Sequence, residues 1–165
     1  MCEQGLEATA KSAWDHDVIG STLGCRETIL LVEDEDFVRD VTGEVLRSAG
    51  YSVLAVRNAS EALAKYDGHS SEIDLLLTDV ILPGENGRSL ARELRLRNPV
   101  LAVLLVTGYA EQMFTHEAEH AECLAKPFST GVLLQRVRKL LDDRRGWFKK
   151  QSPQENPIRR VSGNA

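Results

Sequence analysis

Four short stretches carry the side chains that can do chemistry: Glu33 and Asp34 in VEDE, Asp79 in LLLTDVILPG, Thr107 with Gly108 in VTGYA, and Lys126 in AKPF. A carboxylate can attack phosphorus and form an acyl phosphate, provided something neutralises the negative charge of the incoming phosphoryl group. Asp79 is read as that nucleophile, the phosphoryl acceptor. Thr107 can donate its hydroxyl to one phosphoryl oxygen and Lys126 its ammonium to another, which stabilises charge as it develops during transfer. Gly108 leaves room for the group. Three acids gathered at one place repel each other, and Lys126 alone cannot neutralise them. A cation is therefore expected, and hard oxygen ligands on loops open to water favour magnesium over zinc. Asp34 is then a direct Mg2+ ligand and Glu33 a ligand through water, with Asp79 and the backbone carbonyl of Ile81 completing the shell.

Alone, Asp79 is equally well read as an aspartate that caps a turn or the next helix, so the elements around it must decide. Ile73 to Leu77 contain no charge except Asp74, a run suited to a strand covered on both faces, and Pro83, Gly84, Asn86 and Gly87 form a turn cluster beyond it. Asp79 thus sits where a strand hands over to a loop. The same logic runs along the whole chain. Ile29 to Val32 form an apolar β-rich run ending in four acids, and Phe37, Val38, Val41, Val45 and Leu46 recur at helical spacing before Gly50. YSVLAV reads as a second strand, and Asn58 or Ser60 can cap a helix carrying Ala62, Leu63 and Tyr66. A helix from about Gly87 to Arg97 buries Leu90, Ala91 and Leu94 and ends at Asn98-Pro99. VLAVLLVTGYAE supplies a fourth strand, a short helix is expected near Gln112 to His120, and CLAKPF gives a fifth strand that Pro127 breaks. Leu133, Leu134, Val137, Leu140 and Leu141 form a final amphipathic helix. Five strand-helix alternations predict an α/β fold: right-handed crossovers, a doubly wound five-stranded parallel sheet, and functional groups gathered at the carboxyl ends of the strands.

The rest of the chain bounds this reading. Its 165 residues fit one domain with tails: a flexible leader over 1–26, a domain over 27–143, and a basic tail over 144–165 expected to be disordered. The net charge of -5 argues against bulk nucleic-acid binding, although the tail itself carries Arg144, Arg145, Lys149, Lys150, Arg159 and Arg160. Three cysteines without a CxxC spacing indicate neither a disulfide framework nor a zinc site. No secretory signal and no membrane-length apolar run is present, so a cytoplasmic protein is expected, with no membrane partner.

With these four motifs in order at strand ends, residues 28 to 142 resemble a response-regulator receiver domain of two-component signalling, of the single-domain or hybrid-kinase type. The resemblance implies flavodoxin-like topology with strand order 2-1-3-4-5. It implies phosphorylation on Asp79, with Mg2+, by a histidine kinase or a histidine phosphotransfer protein. It also implies that phosphorylation shifts the face made by the fourth helix, fifth strand and fifth helix, and so changes which downstream protein is bound. Such a domain is a signalling phosphoacceptor that assists its own phosphorylation and dephosphorylation, not an enzyme in the ordinary sense. Two departures stand out. The aromatic residue that the family often has three positions before the lysine is Cys123 here, and Tyr109 is the nearby candidate for part of its switching role. The positions two past the acceptor and two past the hydroxyl influence attack by water; here they are Ile81 and Tyr109, so a phosphoryl group longer-lived than in fast chemotaxis regulators is expected. The polar stretch after Leu141 is too short for a winged helix or an enzyme domain.

Two other functions compete. A phosphatase of the haloacid dehalogenase type also uses an Asp nucleophile, magnesium and a lysine, but needs a second acid two residues after the nucleophile, where this chain has Ile81. A degenerate receiver that binds partners without phosphorylation is opposed by the presence of all the expected site residues. No GxxxxGK[ST] or GxGxxG loop is present for nucleotide binding. His16, His69, His116 and His120 read as solvated surface residues, Cys123 as a small hydrophobe beside a strand, and Trp14 and Trp147 as residues outside the core.

Overall fold

The computed structural model describes residues 27–108 and 121–151. The expected leader, the helix near 112–120, Tyr109, Trp14, His16, His116, His120 and the end of the tail lie outside the described residues.

Within them, strands and helices alternate as the hydrophobic periodicity predicts. β1 (Thr28–Val32) leads to α1 (Asp36–Ser48), β2 (Ser52–Val56) to α2 (Ala59–His69), and β3 (Ile73–Asp79) to α3 (Gly87–Arg97). Between β3 and α3 lie two-residue strands, β4 (Ile81–Leu82) and β5 (Glu85–Asn86); β6 (Ala102–Thr107), β7 (Glu122–Ala125) and α4 (Thr130–Gln151) follow. The main sheet is parallel in the order β2-β1-β3-β6-β7. Counting only its five strands, that is the expected 2-1-3-4-5.

The β4-β5 hairpin is an addition to the reading of 83–87 as a plain turn. Gly84 makes it possible: its φ of +75° is a left-handed conformation that few residues other than glycine adopt cheaply. Helix starts follow local capping chemistry. Asn58 Oδ1 accepts from the Glu61 N–H at 2.8 Å, and Asn86 Oδ1 from the Arg88 N–H at 2.8 Å, each satisfying one of the orphan donors of a first turn.

Because side chains alternate across a strand, the sheet has two apolar faces. Leu30, Val32, Val103 and Leu105 pack with Ala62, Tyr66, Leu90 and Leu94 of α2 and α3. Ile29, Leu31, Leu75, Leu77, Leu104 and Val106 pack with Leu46 of α1 and with Leu133, Val137 and Leu141 of α4. Each such leucine contributes about 1.5–3 kcal/mol when fully buried, so the sheet is the rigid plate that fixes whatever lies at its ends. Cys123 is half-buried and packs against the first of these clusters, as a small hydrophobe on β7 does.

Asp74, the one charge in the apolar run of β3, has a specific use. Thr28 pairs with Ile73 while Ile29 pairs with Leu75, so Asp74 is an unmatched residue in the ladder. Its Oδ2 accepts the Thr28 N–H at 2.9 Å, and its Oδ1 is ion-paired with Arg144 of α4, whose Nε donates to the Val100 carbonyl at 3.2 Å. Glu27, buried at the start of β1, pairs likewise with Arg138 and Arg145. These contacts hold α4 against the amino ends of the strands, and the helix runs past residue 143 to Gln151. The part of the expected disordered tail from 144 to 151 is thus helical. Asp74→Ala is expected to cost about 2 kcal/mol in urea unfolding, because it leaves the Thr28 N–H and the largely buried Arg144 guanidinium without their carboxylate.

Candidate functional site

Strand register brings the predicted residues to one edge of the sheet. Val32 pairs with Thr78, Asp79 with Val106, and Thr107 with Ala125, so Glu33, Asp79, Thr107 and Lys126 lie within one step of one another along the carboxyl ends. Backbone bonds continue just past the ladders and fix the strand exits: Glu33 N–H to Val56 O at 3.1 Å, Val80 N–H to Val106 O at 2.8 Å, and Lys126 N–H to Thr107 O at 2.8 Å.

The Lys126 ammonium donates to Asp79 Oδ2 at 2.8 Å and to Glu33 Oε2 at 2.9 Å. Burial pulls its pKa down, but the hydrogen bonds and charges of Asp79 and Glu33 outweigh this and hold it above the ordinary lysine value. The other acceptor oxygen, Asp79 Oδ1, takes the Ile81 N–H at 3.0 Å. Glu33 is buried, as is Thr107, whereas Asp34 is exposed and its carboxylate makes no hydrogen bond or ion pair with a described residue. Val38, Val106 and Phe128 contribute an apolar floor to the shallow cavity that holds Glu33, Asp79 and Lys126.

Three carboxylates against one ammonium leave the edge with an excess of negative charge, and every donor there is a hard oxygen, which fits a magnesium ion. Among the described residues, no three His, Cys, Asp or Glu side chains form a ready-made metal cluster. Glu33 and Asp79 are turned onto Lys126, the nearest cation, and Asp34 faces solvent. A Cβ placed on Gly108 would meet nothing within 4 Å among the described residues.

Three residues at the site were not singled out from sequence. Gly87 lies where a Cβ would fall 1.9 Å from the Asp79 carbonyl oxygen, so the chain returning into α3 touches the backbone of Asp79 directly. Thr78 is buried, and its hydroxyl donates to that same carbonyl at 3.0 Å. Arg39 donates to the carbonyls of Glu33 at 3.0 Å and Asp34 at 3.4 Å. The turn cluster at 83–87 was the one local signal for Gly87; the other two act through hydrogen bonds to nearby carbonyls, which leave no mark in side-chain spacing.

Residues 29–138 match the model of the response regulator receiver domain family. The chain is 38% identical over 119 residues to the sensor kinase CckA of Brucella abortus, covering 70% of this chain and 12% of that protein. It is 36% identical over 115 residues to the regulatory protein VanRB of Enterococcus faecalis, covering 68% of this chain and 51% of that protein. It therefore spans about half or less of these relatives. Among solved structures, the response regulator TrrA of Thermotoga maritima, in complex with Mg2+ and BeF, superimposes with a TM-score of 0.64 at 31% identity, covering 69% of this chain and 98% of that one. Over residues 29–138 the chain belongs to the response regulator receiver domain family, the phosphoacceptor module of two-component signalling.

Proposed function

We propose that this receiver accepts a phosphoryl group on Asp79 from a histidine kinase or histidine phosphotransfer protein, and that the modified domain changes which protein it binds. The observation that carries the reading is the Lys126 ammonium shared between Asp79 and Glu33, with the exposed Asp34 carboxylate on the same acidic loop. In transfer, an Asp79 carboxylate oxygen forms a bond to phosphorus while the bond from phosphorus to the donor imidazole nitrogen breaks, and the imidazole leaves with that electron pair. Lys126 moves from carboxylate to phosphoryl oxygen as charge builds there, and the Thr107 hydroxyl donates to a second oxygen. Asp34, Asp79 and the Ile81 carbonyl would hold magnesium directly, with Glu33 acting through water; when bound, the ion neutralises phosphoryl charge. Exposed Phe37 and Ile81, each within three residues of Asp34 or Asp79 in the chain, offer apolar surface to a protein donor.

Of the expected output face, β7 and α4 are described, and Val132 is partly exposed on α4. The reading is of a signalling module acting in the cytoplasm, with nucleic acid not its partner. No helix among the described residues is long and apolar enough to cross a membrane. A turnover phosphatase is disfavoured because Ile81 occupies the position where a second acid would be needed.

Incubation with magnesium and acetyl phosphate should add one phosphoryl mass, and that gain should be absent in Asp79→Asn and without magnesium. No gain in the wild-type chain would leave a binding module that works without phosphorylation. A second expectation concerns lifetime. Neither Ile81 nor Tyr109 is suited to orient a water, so acid-labile phosphate should persist after the donor is removed for longer than in fast chemotaxis regulators; rapid loss would contradict this.

A further inference from the structure

We infer that Arg39 is a positioning residue for the divalent cation beside Asp79, acting through the backbone of the acidic loop; the inference rests on the phosphoacceptor reading above. Arg39 is in the first turn of α1, and its side chain is only 13% exposed. One guanidinium nitrogen, Nη1, donates to the Glu33 carbonyl at 3.0 Å and reaches the Asp34 carbonyl at 3.4 Å, while Nη2 is ion-paired with Asp36. A single planar group thus ties the two acidic residues to the start of the helix. The loop is otherwise held on either side of Asp34, by the Glu33 N–H bond to Val56 and the Arg39 N–H bond to the Glu35 carbonyl at 2.9 Å, and by a long contact from Glu35 N–H to Glu33 Oε1 at 3.5 Å, none of which touches Asp34 itself. Asp34 can present its free carboxylate to a cation in one orientation only if its backbone is held, and Arg39 does the holding.

Two effects of removing Arg39 oppose each other, which makes the inference testable. Its positive charge repels a divalent ion, so as a mere charge its loss would tighten magnesium binding. As a clamp, its loss would weaken binding, and outer-shell partners of metal ligands typically govern affinity by about 10–100-fold. The experiment is titration of the full chain with magnesium chloride, followed by calorimetry and by backbone amide shifts, which also report whether each variant is folded. Arg39→Met keeps the apolar stem and removes the donors; it should weaken magnesium binding by about tenfold, with acetyl phosphate labelling restored at saturating magnesium. Arg39→Lys keeps the charge but puts it on a flexible ammonium in place of the rigid planar guanidinium that fixes Nη1 between the two carbonyls, and should also weaken it. Asp36→Asn removes the ion pair and leaves the carbonyl bonds, so its affinity should stay within about threefold of wild type. Unchanged or tighter binding by Arg39→Met, wild-type affinity in Arg39→Lys, or an equal loss in Asp36→Asn would each overturn the inference while leaving the phosphoacceptor reading intact. No magnesium binding by the wild-type chain would overturn both.

Discussion

Gly87→Ala should destabilise the domain by about 3 kcal/mol, the upper end of the usual range for overpacking, and remove most of its capacity to be phosphorylated. The added Cβ would stand 1.9 Å from the Asp79 carbonyl oxygen and 3.0 Å from the Thr78 hydroxyl. The obstacle is backbone, and it cannot rotate away. Relief must come by moving either the first turn of α3, which is anchored by the Asn86 cap and by the Gly87 N–H bond to the Val80 carbonyl at 2.9 Å, or the end of β3. The second course carries Asp79 away from Lys126. Gly84→Ala is the informative comparison, since Gly84 has a φ of +75° but nothing within 4 Å of a Cβ. There the cost is conformational, about 1–2 kcal/mol, and the hairpin tip can absorb it without disturbing Asp79. Urea unfolding and acetyl phosphate labelling of both variants check the pair. Equal labelling of Gly87→Ala and wild type would mean that the α3 start yields more easily than the strand end.

The contrast between these glycines also marks how far the sequence could be read. Strand and helix identity came from periodicity within a few residues, and the site residues came from a repeated local event, an apolar run meeting Glu33, Asp79, Thr107 or Lys126 at its end. Parallel topology then forces those ends together, so their proximity follows from the order of elements. Most of what stayed hidden depends on registers and partners far apart in the chain. Asp74 reads as a blemish in a strand until the slip between Thr28 and Ile29 and the arrival of Arg144 explain it. The helical continuation beyond residue 143 likewise rests on Arg144 and Arg145 finding acids at the strand starts, Asp74 and Glu27, which no local pattern announces. Arg39 looks like an ordinary surface residue of an amphipathic helix, because hydrogen bonds to carbonyls leave no trace in side-chain spacing. Of the three acids expected around one ion, two face Lys126 and the third faces solvent.

That last arrangement leads to an opposed pair of effects at Lys126. Lys126→Met should slow phosphorylation about 100-fold, the usual scale for losing one preorganised donor to a developing oxyanion. The same substitution should tighten magnesium binding, because Asp79 and Glu33 no longer have an ammonium at 2.8 and 2.9 Å competing for their oxygens. Stability without metal should fall by about 2 kcal/mol, a value discounted for the 29% exposure of the lysine side chain, as two carboxylates are left facing each other without a cation. Magnesium should then restore more stability to the variant than to the wild type, by mass action on the tighter site. The pH dependence fixes the sign independently. The folded lysine titrates above its ordinary 10.5, so its contribution is complete below that value and is lost as pH rises through the higher folded value. The stability difference between wild type and Lys126→Met should therefore be flat from pH 7 to 9 and shrink only in stronger base. Calorimetric magnesium titration beside urea unfolding from pH 7 into stronger base would measure the affinity, the stability and its pH dependence, and a variant that binds magnesium more weakly than wild type would show that Lys126 orders the carboxylates for the ion instead of competing with it.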